Sequence, residues 1–231
     1  MPRSPDPART RLVSAGERLF AVQGIDNVSL REISRASGAR NVVALQHHFG
    51  DRDGLLRAIV AKHQARVGER RQPMLDDFIA HGGSDVGRYA AALVQPLAAC
   101  LADDGGGRYF VRIFADLMNR PRPLWWRSRD EVSEDSLERW RRLGDPLLGS
   151  EQRRLHRRYA AVLYVATEIA RRAAADGEPD VDLVASATTD IVVAILSSPV
   201  SATTRALLAT RDDHRPDIAY AGPVNPLVTE D

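Results

Sequence analysis

Two residue types are almost absent from this chain, cysteine and lysine. Cys100 is the only cysteine, which excludes an internal disulfide and suits a reducing compartment. It lies in the apolar run 98–101, so it is expected to be a plain buried thiol rather than a redox sensor. Lys62 is the only lysine among 32 basic residues, a usage that suggests a GC-rich genome more than a mechanism. No run approaches the ~20 apolar residues of a membrane span. The opening MPRSPDPART has no apolar stretch that would make it a signal peptide. The expectation is a soluble, cytoplasmic protein with no membrane partner. With 231 residues, 44% of them hydrophobic, the chain can bury a substantial core in one or two domains.

Groups for catalysis are also missing. His47 and His48 are adjacent, and neighbours on a helix point about 100° apart, so they cannot share an ion unaided. His63, His81, His156 and His214 show no ligand spacing with cysteine or carboxylates. The acidic pairs Asp103-Asp104, Glu134-Asp135 and Asp212-Asp213 have no partner by motif. The three glycines 105–107 lack the lysine and strand context of a phosphate-binding loop. No catalytic residue, metal or cofactor is assigned, and the chain is expected not to be an enzyme.

What is present is a charge asymmetry behind the net charge of +1. Residues 1–72 hold 13 basic and 7 acidic side chains, a net of +6, and residues 73–231 hold 19 and 24, a net of −5. The basic half has the more specific pattern. Leu12, Ala15, Leu19 and Phe20 recur at helical spacing and predict an amphipathic helix over 9–23, ended by a left-handed Gly24 with Ile25 folding back. Ser29 with Glu32 forms a capping box, and Val28 with Ile33 a hydrophobic staple. A second helix follows, with Leu30, Ile33 and Ala36 facing inward, and Gly38 ends it after barely two turns. A third is predicted over 40–49. Its Val42, Leu45 and Phe49 face the first two helices, and Arg40, Val43, Ala44 and His47 lie opposite, with Asn41, Gln46 and His48 at the margins. Two short helices joined by a glycine-containing turn are the layout of a helix-turn-helix, which lays its second helix in the DNA major groove. Arg, Asn, Gln and His bond base edges and phosphates, and Val and Ala can touch a thymine methyl. No acidic residue occurs from 33 to 50.

On these residues the segment of about 9–65 resembles the N-terminal DNA-binding domain of the TetR family of bacterial transcriptional regulators. The matching positions are Ala15, Leu19, Phe20, Gly24, Ser29, Arg31, Glu32, Ile33, Gly38, Leu45, His48, Phe49, Leu55 and Leu56. The resemblance implies an all-helical homodimer in which a larger, divergent helical domain binds a small molecule and releases DNA. Two departures stand out. The stretch 38–49 is one residue longer than the family pattern, so the turn or helix start must differ. Gln46 stands where the family usually has a phosphate-binding Tyr.

Beyond the motif, Asp51 or Asp53 caps a long helix with Leu55, Leu56, Ile59, Val60 and His63 inward, running to Arg71 or, through a kink at Pro73, to Ile79. Further helices are expected from Ser84 with a kink at Pro96, over 109–118, over 124–143 with a Glu138–Arg142 pair, over 150–176, and from a cap at Asp180 to about 196. The last is apolar on more than one side, which marks it as central or shared with a second chain. Residues 150–200 are therefore expected to build a four-helix dimer bundle, with a monomer core as the alternative. The tail after Thr210 reads as irregular.

The expected fold is all-α. A helix-turn-helix domain spans 1–53, a helical ligand-binding and dimerisation domain 54–210, and a tail 211–231. The DNA-binding candidates are Ser29, Arg31, Arg40, Asn41, Val43, Ala44, Gln46, His47, His48 and Arg52, with Ser29, His48 and Arg52 mainly on phosphates. A small-molecule effector, apolar or aromatic, is expected among Phe78, Tyr89, Leu93, Phe110, Phe114, Met118 and Trp125. Two other classes stay open: a helical ligand-binding protein that has lost DNA affinity, and a helical-bundle enzyme.

Overall fold

The structure, a computed structural model, describes residues 6–39, 41–120 and 136–211. Among these the fold is all-α, eleven helices with no strand, arranged as an N-terminal three-helix unit followed by a larger helical bundle. Helix α1 (Pro7–Gln23) begins two residues earlier than its apolar spacing shows. Asp6 Oδ1 accepts from Ala8 N at 2.9 Å, and Pro7 occupies the first turn, where its missing N–H costs nothing. Gly24 ends α1 at φ 86, ψ 149, an extended positive-φ geometry rather than the left-handed helical cap expected. Ile25 is buried directly after it.

Helices α2 (Leu30–Ala36) and α3 (Val43–Phe49) pack on α1, and α4 (Arg52–Ala80) follows from an N-cap at Asp51. At ~1.5 Å per residue, α4 is about 44 Å long. It runs through Pro73, as the longer of the two expected ends required. Its first part, Leu55 to Val60, completes the core of the N-terminal unit, together with Ile113 and Leu117 of α6 (Gly107–Met118). Its later part, Val67, Leu75 and Phe78, belongs to the main core.

That main core is built by α4, α5 (Val86–Ala98), α6, α7 (Ser136–Leu143), α9 (Arg157–Ala174) and α10 (Val181–Ser197). Asp85, not Ser84, caps α5. The expected helix over 124–143 is described only from Ser136 onward, and there Arg141 Nη1 reaches Glu138 Oε2 at 2.8 Å. The single helix expected over 150–176 is two. A short α8 (Ser150–Arg154) breaks at His156, which takes a left-handed φ of 51 before α9 starts. The break frees Arg153 and Arg154 to reach carbonyls outside their own helix, those of Asp145 and Leu148 and those of Leu208 and Arg211. Helix α11 (Ala202–Ala209) was not expected; Ser201 caps it by accepting from Thr204 N.

The near-monopoly of arginine has a visible structural use. The last carbonyls of a helix have no partner within it, and here neighbouring guanidinium groups supply one. Arg108 donates to Ala175 and Gly177 after α9, Arg154 to Leu208 in α11, Arg157 to Ile195 in α10 and Arg158 to Arg141 in α7. A planar fork of donors serves such clusters of acceptors better than an ammonium. No single described helix is long and apolar enough to cross a membrane.

Candidate DNA-binding interface

The entry to α2 is the capping box that the spacing predicts. Ser29 Oγ accepts from Glu32 N at 3.2 Å and donates to Glu32 Oε2 at 2.7 Å, while Ser29 N donates to the same carboxylate at 2.8 Å. These bonds from Ser29, hydroxyl first and backbone second, hold the Glu32 carboxyl below its usual range. Val28 and Ile33 are both buried, as a staple requires. The inner face differs from expectation at one point. Ala36 is exposed, and Ser34 and Ser37 are buried instead, with Ser37 Oγ donating to the Ser34 carbonyl at 2.8 Å.

The exit from α2 is a complete Schellman motif. Ala39 N donates to Ser34 O at 3.0 Å and Gly38 N to Arg35 O at 3.1 Å, around Gly38 at φ 76. α3 starts at Val43, three residues later than expected, from a Val42 with no side-chain cap. Leu45, fully buried, pins the helix to the core. Val43 (64% exposed), Gln46 and His47 stand on one open face at i, i+3 and i+4, with Ala44 half-buried at its edge and Asn41 exposed before the helix. Arg40 lies outside the described residues.

Two expected phosphate contacts are engaged internally. His48 is largely covered and its Nε2 lies 3.4 Å from Asp6 Oδ2. Arg52 Nη1 donates at 3.3 Å to the carbonyls of both Ile25 and Asp26, fixing the turn between α1 and α2. Arg31 is exposed on α2, and so is Arg35 one turn further on, a residue the sequence reading passed over although its i, i+4 spacing from Arg31 was visible. Arg9 lies over the Phe49 ring at 5.2 Å.

The seven expected effector residues divide into groups. Leu93, Phe110 and Phe114 meet around one cavity of about 20 Å³, with Gln64, Arg71 and Val162 also on its wall. That volume holds about one water. Phe78 and Tyr89 lie elsewhere in an aromatic stack: Tyr89 lies flat on Trp140 at 4.5 Å, and Trp140 Nε1 donates to the Tyr89 carbonyl at 2.9 Å. Met118 is buried near Tyr159, whose hydroxyl donates to its carbonyl at 3.3 Å. Trp125 lies outside the described residues. Larger spaces are open grooves, about 580 Å³ between α4, α5 and α10 and about 520 Å³ beside the α5–α6 loop. Among the described residues no group of three His, Cys, Asp or Glu could hold a metal ion.

A capped helix, a Schellman turn and a short second helix with an open, acid-free face define a helix-turn-helix unit with an appended helical domain. Residues 12–59 match the model of the bacterial regulatory proteins of the tetR family. Over these residues the chain is similar to the DNA-binding domain of that family. No curated protein matches the chain. Among solved structures, a TetR-family transcriptional regulator from Rhodococcus sp. is 17% identical with a TM-score of 0.49, covering 83% of this chain and 99% of the other. A TetR-family regulator from Streptomyces coelicolor A3 is 16% identical at a TM-score of 0.42, covering 86% and 100%. GusR of Salmonella enterica is 20% identical at 0.34, covering 84% and 98%. At such identities and scores the likeness to the family rests on residues 12–59.

Proposed function

We propose that this transcriptional regulator is a cytoplasmic, ligand-responsive repressor that binds a palindromic operator as a homodimer. The observation that carries the reading is the face of α3. Val43, Gln46 and His47 are open on a helix whose other side is locked by a fully buried Leu45. Base readout is assigned to Arg31, Arg40, Asn41, Val43, Ala44, Gln46 and His47, and phosphate anchoring to Ser29, with His48 and Arg52 contributing only if DNA competes with their present partners. The DNA-binding unit is 1–53, with its core closed by α4 and α6, and 54–210 carries dimerisation and ligand response.

The seam along α10 supports the dimer. Val184, Thr188, Val192 and Leu196 are buried at i+4 steps, yet Leu183 (64% exposed), Ala187, Ile191 (46%) and Ala194 form a second, open apolar stripe. An isologous pairing of this stripe through residues 150–200 would set two α3 helices about one DNA turn apart, ~34–36 Å or somewhat more. The effector is assigned to the cavity between Leu93, Phe110 and Phe114. An effector larger than a water must widen that cavity to enter.

Selection of bound fragments from random duplex DNA tests the reading. An enriched inverted repeat supports it, and recovery of no sequence would favour a ligand-binding protein without DNA affinity. Repeating the selection with a panel of metabolites and aromatic drugs tests the response. A compound that releases DNA from the parent but not from Phe114→Ala locates the site; equal release from both places it elsewhere.

A further inference from the structure

Capping chemistry favours Ser, Thr, Asp or Asn at a helix start, but α3 opens on Val42 and Val43 with no side-chain cap bond. Val42 is half-buried, whereas Val43 is 64% exposed and belongs to neither core cluster. A β-branched residue is also a modest helix former. Nothing in the fold therefore calls for Val43. At about 100° per residue, His47 and Gln46 lie about 40° and 60° to either side of it. Leu45 lies about 160° away and is fully buried.

The three open side chains differ in what they can recognise. Val43 offers methyl groups and no polar atom, and the apolar group that the major groove presents is the thymine C5-methyl. Against a G·C pair, valine would strip water from donors and acceptors and return no hydrogen bond. Gln46 carries an amide with a carbonyl acceptor and two N–H donors. That is the complement of adenine, whose N6 amine donates and whose N7 accepts. His47 has one donor and one acceptor when neutral and discriminates least. Missing are the residue types that read G·C. Helix α3 carries no Arg or Lys to fork onto guanine O6 and N7. No acidic residue, which cytosine N4 would need, occurs from 33 to 50.

We propose that the open face of α3 reads A·T pairs: in each half-site Gln46 takes an adenine, and Val43 covers a thymine methyl one or two steps away. The spacing follows from the helix. Val43 and Gln46 are about 4.5 Å apart along its axis, between one and two base-pair steps of ~3.4 Å. Valine keeps one preferred rotamer in a helix, so its methyls lose little freedom on contact. Guanine readout falls to Arg31 and Arg40, which lie outside α3, and so to other base pairs of the half-site. This operator chemistry deepens the repressor reading above and rests on it.

Selection from random duplex DNA with the full chain should return half-sites that hold an invariant adenine and an invariant thymine no more than two steps apart. Synthetic duplexes of that operator then test single atoms. Deoxyuridine in place of the thymine removes only the C5-methyl. It should weaken binding of the parent about fourfold per half-site and leave Val43→Ala nearly unaffected. In the same way 7-deazaadenine removes the N7 acceptor. It should cost the parent about tenfold and Gln46→Ala nothing further. Both side chains are exposed, so the variants should keep the parent's helicity. Half-sites whose invariant positions are all G·C, or A·T positions indifferent to both modified bases, would overturn the inference while keeping a sequence-specific regulator. Equal losses in parent and variants would also overturn it, because the contacts would then belong to other residues. Recovery of no sequence would instead remove the repressor reading itself.

Discussion

Arg71 Nε donates at 3.0 Å to the carbonyl of Ala92, four residues before Pro96. That carbonyl would normally accept from residue 96, but proline has no N–H, and Ala92 is fully buried in α5. A buried arginine on α4 therefore fills the gap that a proline makes in α5, while Arg71 Nη1 holds Ser136 Oγ at 3.0 Å at the start of α7. One side chain ties three helices at the wall of the small cavity.

Arg71→Met should cost stability by leaving the Ala92 carbonyl unpaired, about 1–3 kcal/mol for that group. In the Pro96→Ala background the N–H of residue 96 can bond that carbonyl, so the same substitution should cost visibly less. Urea denaturation of the four proteins measures the difference. Equal losses in both backgrounds would mean that Arg71 acts through Ser136 and its other contacts alone.

The Asp26–Arg120 pair gives acid sensitivity with a defined sign. The hydrogen bond from Arg120 holds the Asp26 carboxyl below its ordinary value against the opposing effect of burial, and the charges of Arg120 and Arg52 add to the lowering. A depressed carboxyl stabilises the fold above its unfolded pKa, ~3.9, and loses that contribution as pH falls through the lower folded value. The parent Tm should therefore fall more steeply between pH 5 and pH 2.5 than that of Asp26→Asn. Parallel slopes would show that the pair, largely open to solvent on the Asp26 side, adds nothing.

Cys100 should be chemically silent. Burial, chiefly, and then the nearby Asp103 push its thiol up to about 11, and its Sγ faces the Pro96 carbonyl at 3.7 Å. At pH 8 a disulfide reagent should label the native protein far more slowly than the urea-unfolded chain, since the thiolate is the reactive form. Rapid native labelling would point to opening of the 3-10 turn at 99–102.

Assembly hinges on the open stripe of α10. Ile191→Glu places a charge in its middle without touching the buried seam of Val192 and Leu196. Sedimentation at micromolar concentration should show the parent as a dimer and the variant as a monomer with unchanged helicity. A variant that still dimerises would move the interface off α10.

Much of this was legible from local rules. The capping box at Ser29, the inward set of α4 and the two-sided apolar character of α10 all followed from spacing, because each depends on residues within a few positions of one another. The start of α3 was not: it begins at Val43, three residues later than the spacing predicts, with Leu45 fully buried against the core. Likewise the break at His156, at a left-handed φ of 51, left no signal in the helical spacing of 150–176. Glu17 left a trace, a charge on an apolar stripe, but its partners Lys62 and His63 lie 45 and more residues away. The effector residues were right in kind and divided in place. Phe110 and Phe114 share a helix face with the cavity, whereas Tyr89 is stacked on Trp140, a pairing no sequence spacing announces.

DNA readout can be separated by salt. Gln46→Ala and Val43→Ala alter the open face of α3 without touching Leu45, so each should cost ~1–3 kcal/mol on the selected operator and relax choice at one base pair, with the salt dependence kept. Arg31→Ala and Arg35→Ala remove exposed cations one turn apart on α2, a helix that in this motif crosses the phosphate backbone. Although Arg31 is assigned to base readout above, its neighbour Arg35 should behave as a phosphate contact. Losing it should weaken all sequences alike and reduce the slope of log K against log salt by ~0.9 per contact in each half-site. The sorting of Arg31 is then decided by which of the two patterns it follows. If Gln46→Ala weakened every sequence equally and flattened the salt slope, α3 would lie along the backbone rather than in the groove, and the assignment of its face to base readout would fail.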